Sequence, residues 1–165
     1  MAVGPMHRGL ERAAGRFGDR PALLAGDRSW SFRDLDAWSA AFARHLARRG
    51  VGAGDRVALM MANRVEFLVA VEAVSKLGAA AVMISPAWKQ AEVGHAATLT
   101  APVHAVVDAD AHGVLGAALG DEVLTDLDDE VLAAAIAADT DTATDTAAGA
   151  GPSAGADVAG SAESV

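Results

Sequence analysis

The apolar and polar positions of the chain organise around one stretch, Arg56 to Pro86, RVALMMANRVEFLVAVEAVSKLGAAAVMISP. Val57–Ala62 and Ala79–Ser85 are short apolar runs. Between them, Asn63–Leu77 is too long for a strand and carries polar residues at helical intervals. The pattern predicts strand, helix, strand. Near-continuous apolar strands are what a parallel sheet covered on both faces requires. The helix is then the crossover, and such connections are almost always right-handed.

The rest of the chain extends this unit. Leu10, Ala13, Ala14 and Phe17 place an amphipathic helix over His7–Phe17, which Gly18 and Pro21 end. Ala22–Ala25 and Arg28–Phe32 read as short strands around Gly26-Asp27, a hairpin turn. Ser31 is a candidate N-cap with Asp34 in the first turn. Leu35, Trp38, Phe42 and Leu46 then carry a helix to about Arg49, which Gly50 stops. Beyond the central unit the pattern predicts a helix over Lys89–Thr98, a strand over Val103–Asp108 and a short helix over Ala111–Leu119. A fourth strand over Val123–Leu127 and a helix over Asp128–Ala138 follow. From Asp139 onward only Val158 and Val165 are large and apolar. Residues 139–165 are therefore expected to be a disordered Ala/Asp/Thr/Gly-rich tail. The expectation is an α/β fold built on βαβ units: a partial parallel sheet with helices on both faces in residues 1–138, then the tail.

Composition narrows the classes. At 165 residues the chain suffices for one domain with a real core. No segment reaches the roughly 18 to 20 apolar residues of a membrane span, and the N-terminus lacks the apolar core of a secretory signal. Cysteine is absent, which excludes disulfides, thiolate metal sites and cysteine nucleophiles; a reducing cytoplasm is the default location. The net charge of −9 is unevenly spread. All 13 Lys and Arg precede residue 90, and against nine acids they leave residues 1–104 at +4; the other 13 acids put residues 105–165 at −13. An excess of +4, mixed in sign along the sequence, does not mark a nucleic-acid binder.

Candidate chemistry is sparse. Gly50-Val51-Gly52-Ala53-Gly54-Asp55 has the glycines of a phosphate loop, but it follows a helix and precedes a strand, the reverse of both nucleotide fingerprints. Arg44, Arg48 and Arg49 suit a helix C-terminus, with an anionic ligand as the other reading. His7, His45, His95, His104 and His112 form no HxxxH or HExxH pattern, and His45 reads as a boundary residue of its helix. Asp108 and Asp110 follow the third strand of the sheet, where such folds place ligands. A Mg²⁺ site is weighed there against a solvated loop. Asp126, Asp128 and Asp129 lack the Gly and distal Glu of a calcium loop. Trp30, Trp38 and Trp88 are too scattered for a stacking platform; Trp38 reads as core and Trp88 as a cap on an apolar patch.

Several short matches, in order, resemble one family. They are Asp19-Arg20-Pro21-Ala22-Leu23, then Trp30-Ser31-Phe32-Arg33-Asp34-Leu35, then Gly54-Asp55-Arg56-Val57-Ala58. Asn63-Arg64-Val65-Glu66-Phe67, Lys76-Leu77-Gly78-Ala79 and Ser85-Pro86 continue the series. Over roughly residues 7–110 the chain resembles the start of the AMP-forming adenylating enzymes: acyl-CoA synthetases, related carboxylate–CoA ligases, luciferases and peptide-synthetase adenylation domains. Phe32 and Asp34 are mild departures from the family's pattern at that element.

The resemblance implies a two-step ligase. A carboxylate and ATP give an acyl-adenylate with release of pyrophosphate, and the thiol of CoA then displaces AMP. The family's cofactors are ATP, Mg²⁺ and CoA. Its phosphate-binding Thr/Ser/Gly loop, adenine segment, ribose-binding Asp and catalytic Lys lie downstream of the matched region. No TSGTTGxPK-like run occurs here, and the last lysine is Lys89. The matched motifs are scaffold, so no catalytic, cofactor-binding or metal residue is assigned. A truncated product, fragment or remnant is expected, inactive alone. Its expected partners are a complementary ligase fragment, or a second copy through an exposed sheet edge. The alternative is a non-catalytic α/β module that binds a partner.

Overall fold

In the computed structural model, which describes residues 5–128 and 130–138, each apolar run folds as its periodicity requires. Helix α1 (His7–Phe17) leads into the hairpin β1 (Pro21–Ala25) and β2 (Arg28–Ser31), then α2 (Phe32–Arg48). The parallel unit β3 (Arg56–Met60), α3 (Val65–Lys76) and β4 (Ala80–Met83) follows. Next come α4 (Gln90–Thr100), β5 (His104–Val107), α5 (Ala109–Leu119) and β6 (Leu124–Asp126). Residues 130–138 are helical. The expected tail from Asp139 lies outside the described residues, as does Asp129.

The hairpin is antiparallel and separate from a four-stranded parallel sheet ordered β4-β3-β5-β6. The chain steps from β3 outward to β4, then crosses back past β3 to β5 and onward to β6. That reversal distributes the crossover helices over both faces. Side-chain alternation along the strands follows suit. Val57, Leu59, Met61 and Val106 face a core formed with α2 and α3, to which Leu132 and Ala135 of the last helix also belong. Ala58, Met60, Ala105 and Val107 face a second, smaller core with Val93 of α4 and Leu115 of α5. Strand β5 is buried along its whole length, as a central strand covered twice must be.

Local signals explain the joints. The Ser31 hydroxyl accepts from the Asp34 N–H at 3.0 Å while Asp34 accepts from the Ser31 N–H at 2.9 Å, a reciprocal cap that starts α2. Gly78, with φ of 72°, turns the chain out of α3. A Cβ at this position would lie 3.3 Å from that of Ala53. The close approach has a purpose, because the Gly78 carbonyl accepts the Gly54 N–H at 3.0 Å and ties the loop before β3 to the loop before β4. Gly50–Asp55 is thus a helix-to-strand connector. Its own turn is closed by Asp55 accepting the Gly52 N–H at 2.7 Å.

Trp38 is only partly buried, packing on the rim of the first core. The fully buried indole is Trp30, 7% exposed, with the Arg28 guanidinium 4.9 Å over its ring.

Candidate functional site

In an open parallel sheet, ligands gather beyond the carboxyl ends of the strands where the winding reverses. Here that point lies between β3 and β5. A crevice of about 240 Å³ opens there, lined by Ala62, Arg64, Asp108, Asp110, Asp126 and Asp128 among others. Each side chain arrives for a local reason. Asp108 ends β5 and caps α5, accepting the Ala111 N–H at 3.1 Å. Its other oxygen reaches across the reversal to accept the Ala62 N–H at 2.8 Å. Asp128 accepts the Val131 N–H at 2.8 Å at the start of the last helix. Asp126 ends β6 and accepts from Nδ1 of His112 at 2.7 and 2.8 Å.

Arg64 is the cation of the crevice. It donates to the Leu127 carbonyl and lies 3.1 Å from the buried Glu66 carboxylate. Nothing in the local pattern marks Arg64 as a crevice residue, because its position depends on how β3 and β6 are spaced. His112 is held toward its charged form, chiefly by the hydrogen bond and the charge of Asp126, with Asp121 adding to both. Among the described residues, no group of three or more His, Asp or Glu could hold a metal ion. Asp108 and Asp110, the pair weighed for Mg²⁺, both line the crevice, and Asp126 and Asp128 line it with them.

The polar groups of the crevice are largely engaged with one another. An anion at a helix N-terminus needs free amide groups and a positive field. The Asp108 carboxylate already occupies the amide at the start of α5 and the amide beyond β3. Three further carboxylates line the opening, and they repel a polyphosphate.

The opposite ends of the strands are built differently. The His104 imidazole pairs with the Thr125 hydroxyl at 2.8 Å in the interior. Burial, with Arg49 and His45 adding positive charge nearby, pushes His104 down to about 4. His45, half-buried and stacked on Phe42, is lowered by burial first and then by the charges of Arg49 and Arg48. Arg49 donates to the Leu124 carbonyl at 3.0 Å, joining the end of α2 to the start of β6. The arginine cluster at this helix end thus contributes a structural clasp.

The motifs that carried the resemblance are also clasps. Asp19 pairs with Arg33 at 2.8 Å, Lys76 with Asp36 at 2.6 Å, and Arg64 with Glu66. A second opening, of about 700 Å³, lies beside β4 and α4 and is lined by Val82, Met83, Ile84, Trp88 and Leu99 with others. Trp88 sits on an apolar patch, as its place in the sequence predicts.

Comparison with known proteins agrees with this architecture. The AMP-binding enzyme family matches residues 10–162. Malpinin synthetase of Mortierella alpina is 33% identical over 122 residues, 73% of this chain and 2% of that protein. The long-chain-fatty-acid–CoA ligase of Salmonella typhimurium is 37% identical over 87 residues, 52% of this chain and 16% of the ligase. Among solved structures, an inhibitor-bound N-terminal domain from Mycobacterium tuberculosis superposes with a TM-score of 0.70 at 25% identity, covering 82% of this chain and 36% of that one. The chain thus spans a small part of each relative. It belongs to the AMP-binding enzyme family, and its fold is the opening portion of an adenylate-forming N-terminal domain.

Proposed function

We propose that this chain supplies the opening scaffold of an ATP-dependent carboxylate–CoA ligase and does not form an acyl-adenylate by itself. The crevice at the winding reversal carries the reading. Its amide groups are taken by Asp108, its lining is carboxylate-rich, and its one arginine is engaged by Glu66 and a backbone carbonyl. In-line attack on an α-phosphate needs positioned positive charge at the phosphates, from a lysine, a metal or both. The residues here hold none of that charge. On this reading ATP, Mg²⁺ and CoA are bound by polypeptide that the chain does not span. Residues 1–138 form the structural unit, residues 139–165 an appended tail, and the protein works in the cytoplasm.

The test is carboxylate-dependent ATP–pyrophosphate exchange on the purified chain, with fatty and aromatic acids as substrates. The expected result is no exchange above a control without carboxylate. Exchange that rises with carboxylate concentration overturns the reading.

A second reading, a non-catalytic module that binds a partner, is favoured by the apolar opening beside β4. The two separate when the missing part of a ligase is added. A scaffold restores exchange, whereas a module binds its partner without it.

A further inference from the structure

Among the described residues, three of the six exposed large apolar side chains cluster at one place. Met83 is 65% exposed, Trp88 42% and Leu99 76%, and all three line the opening beside β4 and α4. Helix α4 buries only Val93 and Ala97. Ala96 is partly buried against the second core, while Ala91 and Leu99 are exposed among the described residues. A patch of this kind on an otherwise polar surface marks a contact surface.

The two edges of the sheet differ. Strand β6 is three residues long, ends in the charged pair of Asp126 with His112, and has its first carbonyl taken by Arg49. Short strands and charge are how proteins close an edge to further pairing. Strand β4 reads Ala80-Ala81-Val82-Met83, with no charge, proline or bulge to blunt it. Its outer side offers backbone groups next to an apolar cleft, the combination that strand addition uses.

The solved N-terminal domain supplies the occupant. This chain covers 36% of it, so most of that domain's polypeptide has no counterpart here. A domain shares one contiguous core, and the second core of this chain, under α4 and α5, is the smaller of the two, with Trp88 and Leu99 exposed beside it. We infer that the β4 edge and the β4–α4 cleft together seat the part of an adenylate-forming N-terminal domain that this chain does not contain. It contributes an extended segment along β4, and its apolar side chains cover Met83, Trp88 and Leu99. The inference rests on the scaffold reading above but not on catalysis, because docking and exchange are separate measurements.

The experiment mixes the full chain with the Salmonella typhimurium ligase from which the segment matching this chain has been removed. The ligase's own excised segment serves as the positive control, and light scattering on a sizing column is the readout. A 1:1 complex is expected. Met83→Asp with Leu99→Asp lowers its formation about tenfold or more, as a charge forced into an apolar contact does. Leu24→Asp, on the exposed hairpin, leaves it unchanged. Three results overturn the inference: no complex while the control reassembles, a complex indifferent to M83D/L99D, or a self-dimer that M83D/L99D breaks and the truncated ligase does not displace. The last assigns the surface to a second copy. If the control itself does not reassemble, a covalent fusion of this chain to the truncated ligase decides. M83D/L99D is expected to lower the melting temperature of the fusion while leaving the chain alone unaffected, and equal shifts in both overturn the inference. A complex without pyrophosphate exchange leaves the docking surface standing and removes the scaffold reading of function.

Discussion

The two faces of the sheet make an instructive contrast. On the first, α2 and α3 lie over Val57, Leu59 and Val106, with α1, the hairpin and the helix at residues 130–138 closing the sides. His104 and Thr125 satisfy each other, and Lys76 bridges Asp36 and Glu11. On the second face, α4 and α5 cover Ala58, Met60, Ala105 and Val107 and reach Val82 and Ile84 at the β4 end, where Trp88 and Leu99 stay exposed. The first face is closed over Phe42, Leu59 and Val74, although Met83 at the end of β4 stays exposed, and the second leaves Trp88 and Leu99 exposed at its β4 end. Exposure of large apolar side chains therefore concentrates around β4 and α4 rather than over α2 and α3.

Three measurements on the isolated chain sharpen this contrast. The largest effect belongs to the closed face. Phe42 is fully buried between α2 and the sheet, so Phe42→Ala leaves a cavity and is expected to destabilise the chain by about 3 to 5 kcal/mol in urea unfolding. A loss of less than about 1 kcal/mol would mean that this face is not closed.

The next effect is a pH dependence that also belongs to the closed face. His104 titrates near 6.5 when unfolded and at about 4 when folded, so the folded state resists its protonation. Its contribution is fully present above about pH 6.5 and is lost as pH falls toward about 4, a change on the order of 2 to 3 kcal/mol. His104→Gln, which keeps a partner for Thr125, is expected to flatten the stability profile over that window. An unchanged slope would place the titration elsewhere. His112 acts in the opposite sense, since its raised value favours the folded state at low pH. It is exposed, so solvent screens the effect.

The smallest effect belongs to the open face. Leu99 has no covering, so Leu99→Ser is expected to change stability by no more than about 0.5 kcal/mol. A larger loss would show that the chain itself, or another copy of it, covers the cleft.

Much of this architecture is legible in the residues. The limits of α1 follow from its stripe and from Gly18, and the capping pair Ser31 and Asp34 places the start of α2. The apolar runs mark all four sheet strands to within two residues. Helix α4 is less legible. It tolerates Gly94, runs to Thr100, and ends on Ala101 in the left-handed region at φ of 42°, where glycine would be expected. The crevice was legible only as a set of strand-end acids. That Asp108 spends its oxygens on Ala62 and Ala111, and that Arg64 is turned to Glu66 and Leu127, depends on residues up to 63 positions apart.

The sequence by itself determined the elements, their order and the family, because helix and strand periods, caps and turn glycines are written within a few residues of one another. Only the tertiary structure decided the strand order β4-β3-β5-β6, and with it which edge is open. It also decided that Asp108 and Arg64, in the crevice at the reversal, spend their hydrogen bonds within the chain. The reason is physical: backbone pairing and the closing of a cleft depend on distances between segments far apart in sequence, and no local pattern encodes them.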